Sequence, residues 1–197
     1  GPRRVLRRHL DVRRRLALVG RALLDSAAYI LRRSDVDLTP EDAVDRLVTG
    51  VARRIRANVP WQPGARELLA ALRDVGVPTG LVTMSYRPIT NALASALPSG
   101  SFDIVVTGED VTQGKPHPEP YLTGAARLGL AATECIAIED SETGARSASA
   151  AGARTIVVPS VKAVPRMAGV VQIPTLVGVT PSDLVDLPGF AARPSRG

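Results

Sequence analysis

Aromatic residues are scarce in this 197-residue chain: 3% of the total, with 1 Trp, 3 Tyr and 2 Phe. A core must therefore come from Leu, Val, Ile and Ala, and a stacking platform for single-stranded nucleic acid is disfavoured. Cys135 is the 1 cysteine, which excludes an internal disulfide framework and suits a reducing cytoplasm. No apolar run approaches the ~20 residues that a membrane-spanning helix needs. The Arg-rich start lacks a following apolar stretch and a cleavage site, so it makes a poor secretion signal. Lysine is nearly missing as well. Of 25 basic residues only 2, Lys115 and Lys162, are lysine.

The formal charge of +6 is local. Residues 1–15 hold seven arginines and one acid, Asp11, whereas residues 16–197 hold 18 basic and 18 acidic side chains. A nucleic-acid-binding face should spread its charge over a folded surface with aromatics nearby. This segment has neither, and it reads as solvated helix surface. Residue 1 is Gly followed by Pro rather than Met, so the expectation is a trimmed or processed start.

The hydrophobic pattern divides the chain. At 45% hydrophobic residues, disorder is excluded. Residues 3–58 contain no convincing strand. Leu6, Leu10 and Leu16 to Leu24 give interrupted helical spacing. Thr39 reads as a helix cap with Pro40 at the first helical position. Ala43, Leu47, Val51 and Ile55 then form one apolar stripe, the expected inward face. Pro60-Trp61-Gln62-Pro63-Gly64 marks a boundary. Beyond it, helices at 65–75, near 88–96, 120–128 and 142–151 alternate with aliphatic strands at 79–83, 102–107, 135–138 and 155–158. Thr175-Leu176-Val177 is a candidate edge strand, and a last helix starts at Thr180-Pro181. The alternation implies an α/β fold with a parallel sheet covered on both faces.

In an open parallel sheet, ligands bind at the carboxyl ends of the strands. The first strand ends in Leu81-Val82-Thr83-Met84-Ser85, where a hydroxyl and backbone amides entering a helix suit an anion; Thr83 and Ser85 serve equally as caps. After the second strand, Lys115 sits between Gly114 and Pro116. Its compact ammonium can reach a phosphoryl oxygen or a carboxylate, or it is a solvated loop lysine. The third strand ends in Ile138-Glu139-Asp140-Ser141. Adjacent acids there suit magnesium, which takes carboxylates, waters and phosphate oxygens; Asp140 or Ser141 can also cap the next helix. His117, between two prolines, reads as loop architecture, and Cys135 as a buried filler. Arg21 is a faint candidate for reaching substrate, and a surface role suits it better.

These segments resemble the haloacid dehalogenase-like hydrolases, in the branch of β-phosphoglucomutase and phosphoglycolate phosphatase. The resemblance implies a Rossmann-like parallel-sheet core over residues 60–197 and a helical cap over 1–59. It implies that Thr83, with Met84 and Ser85, binds the transferring phosphoryl group. It implies that Lys115 balances charge on nucleophile and phosphate, and that Asp140 holds Mg2+ with Glu139 helping directly or through water. The implied reaction is hydrolysis of a small phosphorylated metabolite through an aspartyl-phosphate, by a monomer or homodimer without membrane or nucleic-acid partners. Sugar-phosphate transfer is the neighbouring activity. Dehalogenation is disfavoured by the acidic pair, because halide release needs no magnesium.

One element of the pattern is missing. The family's Asp-x-Asp-Gly-Thr run, which supplies the nucleophile and the acid/base and ends the first core strand, does not occur in these 197 residues. Read literally, the chain is an inactive relative or a binding module. That strand normally lies between those ending at Thr83 and Ile138. Its absence should leave two inner sheet edges with unpaired backbone groups, each costing about 1–3 kcal/mol when buried.

Overall fold

The computed structural model describes residues 23–160 and 162–187. The Arg3–Arg15 segment, Arg21, the Leu6–Leu16 spacing and the 194–197 tail lie outside the described residues.

Two helices come first, α1 over 23–31 and α2 over Pro40–Ala57. The start of α2 follows its cap: Thr39 Oγ1 accepts the Asp42 N–H at 3.1 Å and donates to Asp42 Oδ2 at 2.8 Å. Its inward face differs from the expected stripe. Val44, Val48 and Ala52 are buried, whereas Leu47 is 52% exposed. The two stripes are adjacent on the helix surface. Val44 and Val48 face the partners, packing with Ala27, Leu23 and Leu24 from α1 and with Tyr86 and Ile89 beyond the boundary. Periodicity marks an apolar sector, but neighbouring helices choose which edge of it is covered.

The remaining elements alternate: α3 (Ala65–Asp74), β1 (Gly80–Val82), α4 (Arg87–Ala96), β2 (Ile104–Val106), α5 (Glu119–Arg127), β3 (Ile136–Glu139), α6 (Glu142–Ala150), β4 (Arg154–Val157), β5 (Val170–Gln172) and α7 (Pro181–Asp186). Every strand pairing is parallel. The core is thus a Rossmann-like α/β arrangement beside a separate helical region. On the sheet face toward α6, Ala145 packs with Val157, and Ala148 with Ala137 and Ala153. On the other face, Ile156 and Val158 meet Leu68 of α3, Leu176 and Leu184 of α7.

The edge strand falls at Val170–Gln172, not at Thr175–Val177. Val170 pairs with Thr155 and Gln172 with Val157. At the expected place Leu176 turns into the core at 6% exposure, and the Thr175 hydroxyl accepts the Val177 N–H at 3.1 Å. A local turn and a core contact there use the groups that a ladder would need.

The strands form two ladders, β1-β2 and β3-β4-β5, and none joins β1 to β3. Between them lies a cleft of about 610 Å³, walled by Leu81 and Val82 on one side and Ile136, Ala137 and Ile138 on the other. The half-buried Cys135 and Trp61 also line it, so Cys135 is not the fully enclosed filler that its strand-start position suggests.

Candidate active site

Three segments meet at the carboxyl ends of β1 and β3. On the first, the Thr83 N–H continues the ladder to Val106 O at 2.9 Å. The Thr83 hydroxyl donates to Ser85 Oγ and accepts the Ser85 N–H, both at 3.1 Å. This is a local hydroxyl turn. Thr83 and Ser85 therefore bond each other, and neither makes a direct hydrogen bond to Lys115 or to the acidic pair. The amide entering α4 is also engaged: the Arg87 N–H donates to Glu109 Oε1 at 3.0 Å.

The second segment carries Lys115 on a clamped loop. The Glu119 carboxylate accepts the Thr112 N–H, the Thr112 hydroxyl and the Gln113 N–H, each at 2.8 Å. His117 is loop architecture: its Nδ1 accepts the Glu119 N–H at 3.2 Å, and its carbonyl accepts the buried Ser147 hydroxyl at 2.6 Å. Gly114 presses against the first segment, where a Cβ would sit 3.0 Å from Met84 Sδ. So anchored, Lys115 is only 13% exposed. Its Nζ donates to Val82 O at 3.0 Å and to Glu139 Oε1, and lies 5.0 Å from the Tyr121 ring centroid. One ammonium thus ties the end of β1 to the end of β3.

The third segment separates the two acids. Glu139 is 7% exposed, and its Oε1 accepts from both Lys115 Nζ and the Tyr121 hydroxyl. The first turn of α6 leaves room for this carboxylate only because residue 144 is Gly: a Cβ there would lie 1.9 Å from Glu139 Oε2. Asp140 is exposed, and its Oδ2 accepts the Ser160 hydroxyl at 3.0 Å. Asp140 makes no hydrogen bond or ion pair with Lys115. Ser141, rather than Asp140, caps α6 by accepting the Gly144 N–H at 3.2 Å.

Sequence reasoning passed over Tyr121. Burial, and then the charge of Glu139, push its phenol well above the ordinary tyrosine value. The available signal was one of 3 tyrosines lying a few residues beyond the loop lysine. A second omission is the cluster around Asp110. The Asp110 carboxylate takes the Thr107 N–H and hydroxyl, Arg127 at 3.0 Å and Arg87 at 3.2 Å. Burial alone would raise its pKa, but these donors outweigh burial and hold it far below the usual carboxylate range.

Two negative observations bound the chemistry. Among the described residues no three His, Cys, Asp or Glu side chains gather to hold a metal. Asp35 and Asp37 have Asp-x-Asp spacing, but both are exposed in the loop between α1 and α2, where Thr39 is engaged as the cap. They end no strand. The donors fit magnesium nonetheless, because that ion commonly takes one or two carboxylates and completes its shell with waters and phosphate oxygens.

Residues 5–152 match the family of haloacid dehalogenase-like hydrolases. The chain belongs to this family. This haloacid dehalogenase-like hydrolase is 32% identical to hexitol phosphatase A of Escherichia coli strain K12 over 150 residues, covering 76% of this chain and 62% of the relative. It is 37% identical to phosphoglycolate phosphatase of the same strain over 95 residues, 48% of this chain and 38% of that one. The chain thus spans less than two thirds of these relatives. Its fold is also that of CbbY from Rhodobacter sphaeroides, solved in complex with phosphate, with a TM-score of 0.69 at 22% identity over 90% of this chain and 92% of that one. Among the described residues of this haloacid dehalogenase-like hydrolase, no helix is long and apolar enough to cross a membrane.

Proposed function

We propose that this chain forms the phosphate-handling part of a magnesium-dependent hydrolase of small phosphomonoesters, in the branch of β-phosphoglucomutase and phosphoglycolate phosphatase. The observation that carries this reading is the Lys115 ammonium, which bridges Val82 O and Glu139 where the two half-sheets end. A cation in that place faces any dianion brought to the strand ends. On this reading residues 1–59 are the cap and 60–197 the core. The cap packs on Tyr86, next to Ser85, and so closes over the phosphate loop and keeps water away during transfer.

Each residue then has a task. The Thr83 hydroxyl, its proton turned away from Ser85 Oγ, and the Met84–Ser85 turn donate to phosphoryl oxygens. Lys115 neutralises charge as it builds on phosphate and on the attacking carboxylate. That carboxylate, an aspartate, arrives on an extended segment seated in the cleft between β1 and β3. Its oxygen bonds phosphorus as the ester P–O bond breaks, and the second aspartate of the same run protonates the departing alcohol oxygen. That second residue then takes a proton from the water that hydrolyses the aspartyl-phosphate to inorganic phosphate and the free carboxylate. Asp140, with Glu139, would hold Mg2+, which when bound supplies positive charge to the phosphoryl oxygens.

The names of two relatives, hexitol phosphatase A and phosphoglycolate phosphatase, choose the first substrates to try: hexitol phosphates and phosphoglycolate head the panel. The test joins an aliphatic strand ending in the two-aspartate run ahead of residue 1 and measures phosphate release with and without magnesium. Magnesium-dependent turnover of one panel member, abolished by Asp140→Asn, is the expected result. A folded protein with no turnover on any phosphomonoester sinks the hydrolase reading.

A further inference from the structure

We infer that Tyr121 and Gly144 are positioning residues for the Glu139 carboxylate, and that they decide which of its oxygens faces a cation. The inference rests on the magnesium reading above, and the observations behind it are geometric. Glu139 Oε1 is saturated, with one charged donor from Lys115 and one neutral donor from the Tyr121 hydroxyl. Oε2 makes no hydrogen bond and lies against the backbone of Gly144, where a Cβ would stand 1.9 Å from Oε2, 2.2 Å from Cδ and 2.5 Å from Oε1. The carboxylate is therefore held on three sides, by an ammonium, a phenol and a glycine that leaves it room.

Neither Lys115 nor Gly144 alone would set the carboxylate plane. The ammonium is a compact point charge whose donors are shared among Val82 O, Glu139 Oε1 and, at 3.5 Å, the Tyr121 oxygen, and a bare α-carbon supplies only space. The Tyr121 hydroxyl supplies direction. Its ring is fixed by packing against Ala137, Ala148 and Ala153, so the O–H meets Oε1 from one side and leaves Oε2, over Gly144, without a donor. Oε2 is then the Glu139 atom left to a divalent cation, or to a water bound to one, with Asp140 the next residue along the chain. Partners of this outer kind orient metal-ligating groups, and their loss typically weakens metal binding by about 10–100-fold.

Tyr121→Phe tests this directly, because it keeps the packed ring and removes only the hydroxyl. The chain is titrated with Mn2+, with paramagnetic broadening of the Glu139, Asp140 and Ser141 amide signals as readout; this detects weak sites and needs no turnover. The expected result is an affinity about tenfold lower in Y121F, with an unchanged circular dichroism spectrum. Gly144→Ala should weaken Mn2+ similarly by displacing the carboxylate; if that variant fails to fold, Y121F alone decides. A ring that merely packs predicts identical titrations for Y121F and the wild type, and that outcome removes Tyr121 from the site while leaving the magnesium reading intact. A wild type whose Glu139–Ser141 signals ignore Mn2+ overturns both. Mn2+ binding that weakens in Y121F, when the chain joined to the two-aspartate strand still shows no phosphatase turnover, upholds the positioning role and discards only the hydrolase.

Discussion

Removing the Lys115 ammonium should strand a buried carboxylate at the end of β3. Lys115 is 13% and Glu139 7% exposed at their side chains, so Lys115→Met leaves a carboxylate in a poorly hydrated place with one neutral donor, Tyr121. Breaking a buried pair from one side costs about 3–5 kcal/mol, because the remaining charge is uncompensated. The chain contains its own control. Arg146 and Glu142 form an i,i+4 pair with side chains 59% and 41% exposed, and such pairs contribute about 0.3–0.5 kcal/mol. Urea unfolding followed by Trp61, the 1 tryptophan, reports both variants. With a urea dependence of about 2 kcal/mol per molar, K115M should lower the midpoint by about 1.5–2.5 M, and R146M by no more than about 0.25 M. Adding Glu139→Gln to K115M should recover much of the loss, since the stranded charge is then gone. If K115M and R146M shift the midpoint alike, the lysine is solvated. The bridging geometry, and the functional reading built on it, would then be wrong.

Two further outcomes follow from the same structure. Asp110 has a depressed folded pKa, so it contributes stability above the unfolded carboxylate value of about 3.9 and loses it as pH falls through the folded value. Asp110→Asn should thus cost about 2 kcal/mol at pH 7, and the difference from wild type should shrink on going below about pH 4; a gap that stays constant to pH 2 counts against the cluster. On α2, Val48→Ala should cost about 1.5 kcal/mol for the buried methyl groups removed, whereas Leu47→Ala should stay within about 0.5 kcal/mol. Thermal melts showing the reverse order would restore the expected stripe.

Local features were legible before any coordinates. Thr39-Pro40 and Thr180-Pro181 start helices, and Gly76, Gly129 and Gly152 stop them with φ of 71°, 71° and 88°. The aliphatic strands fall within the spans predicted from their runs, give or take the residues at their ends. These signals are legible because a cap, a glycine stop or a hydrophobic period acts within a few residues of itself. The motif segments were legible too, as residue types in order.

Tertiary structure decided which groups touch. It selected Val44 and Val48 over Leu47 and Val51, because Tyr86 and Ile89 come from another part of the chain. It moved the edge strand to Val170–Gln172, because Leu176 was needed in the core. It also gave the two neighbouring acids different partners, Lys115 for Glu139 and Ser160 for Asp140. Lys115 lies 24 residues from Glu139 and 33 from Val82 along the chain. No local preference sets contacts at that separation; they exist only once parallel strands have brought their ends together around a shared, poorly hydrated space.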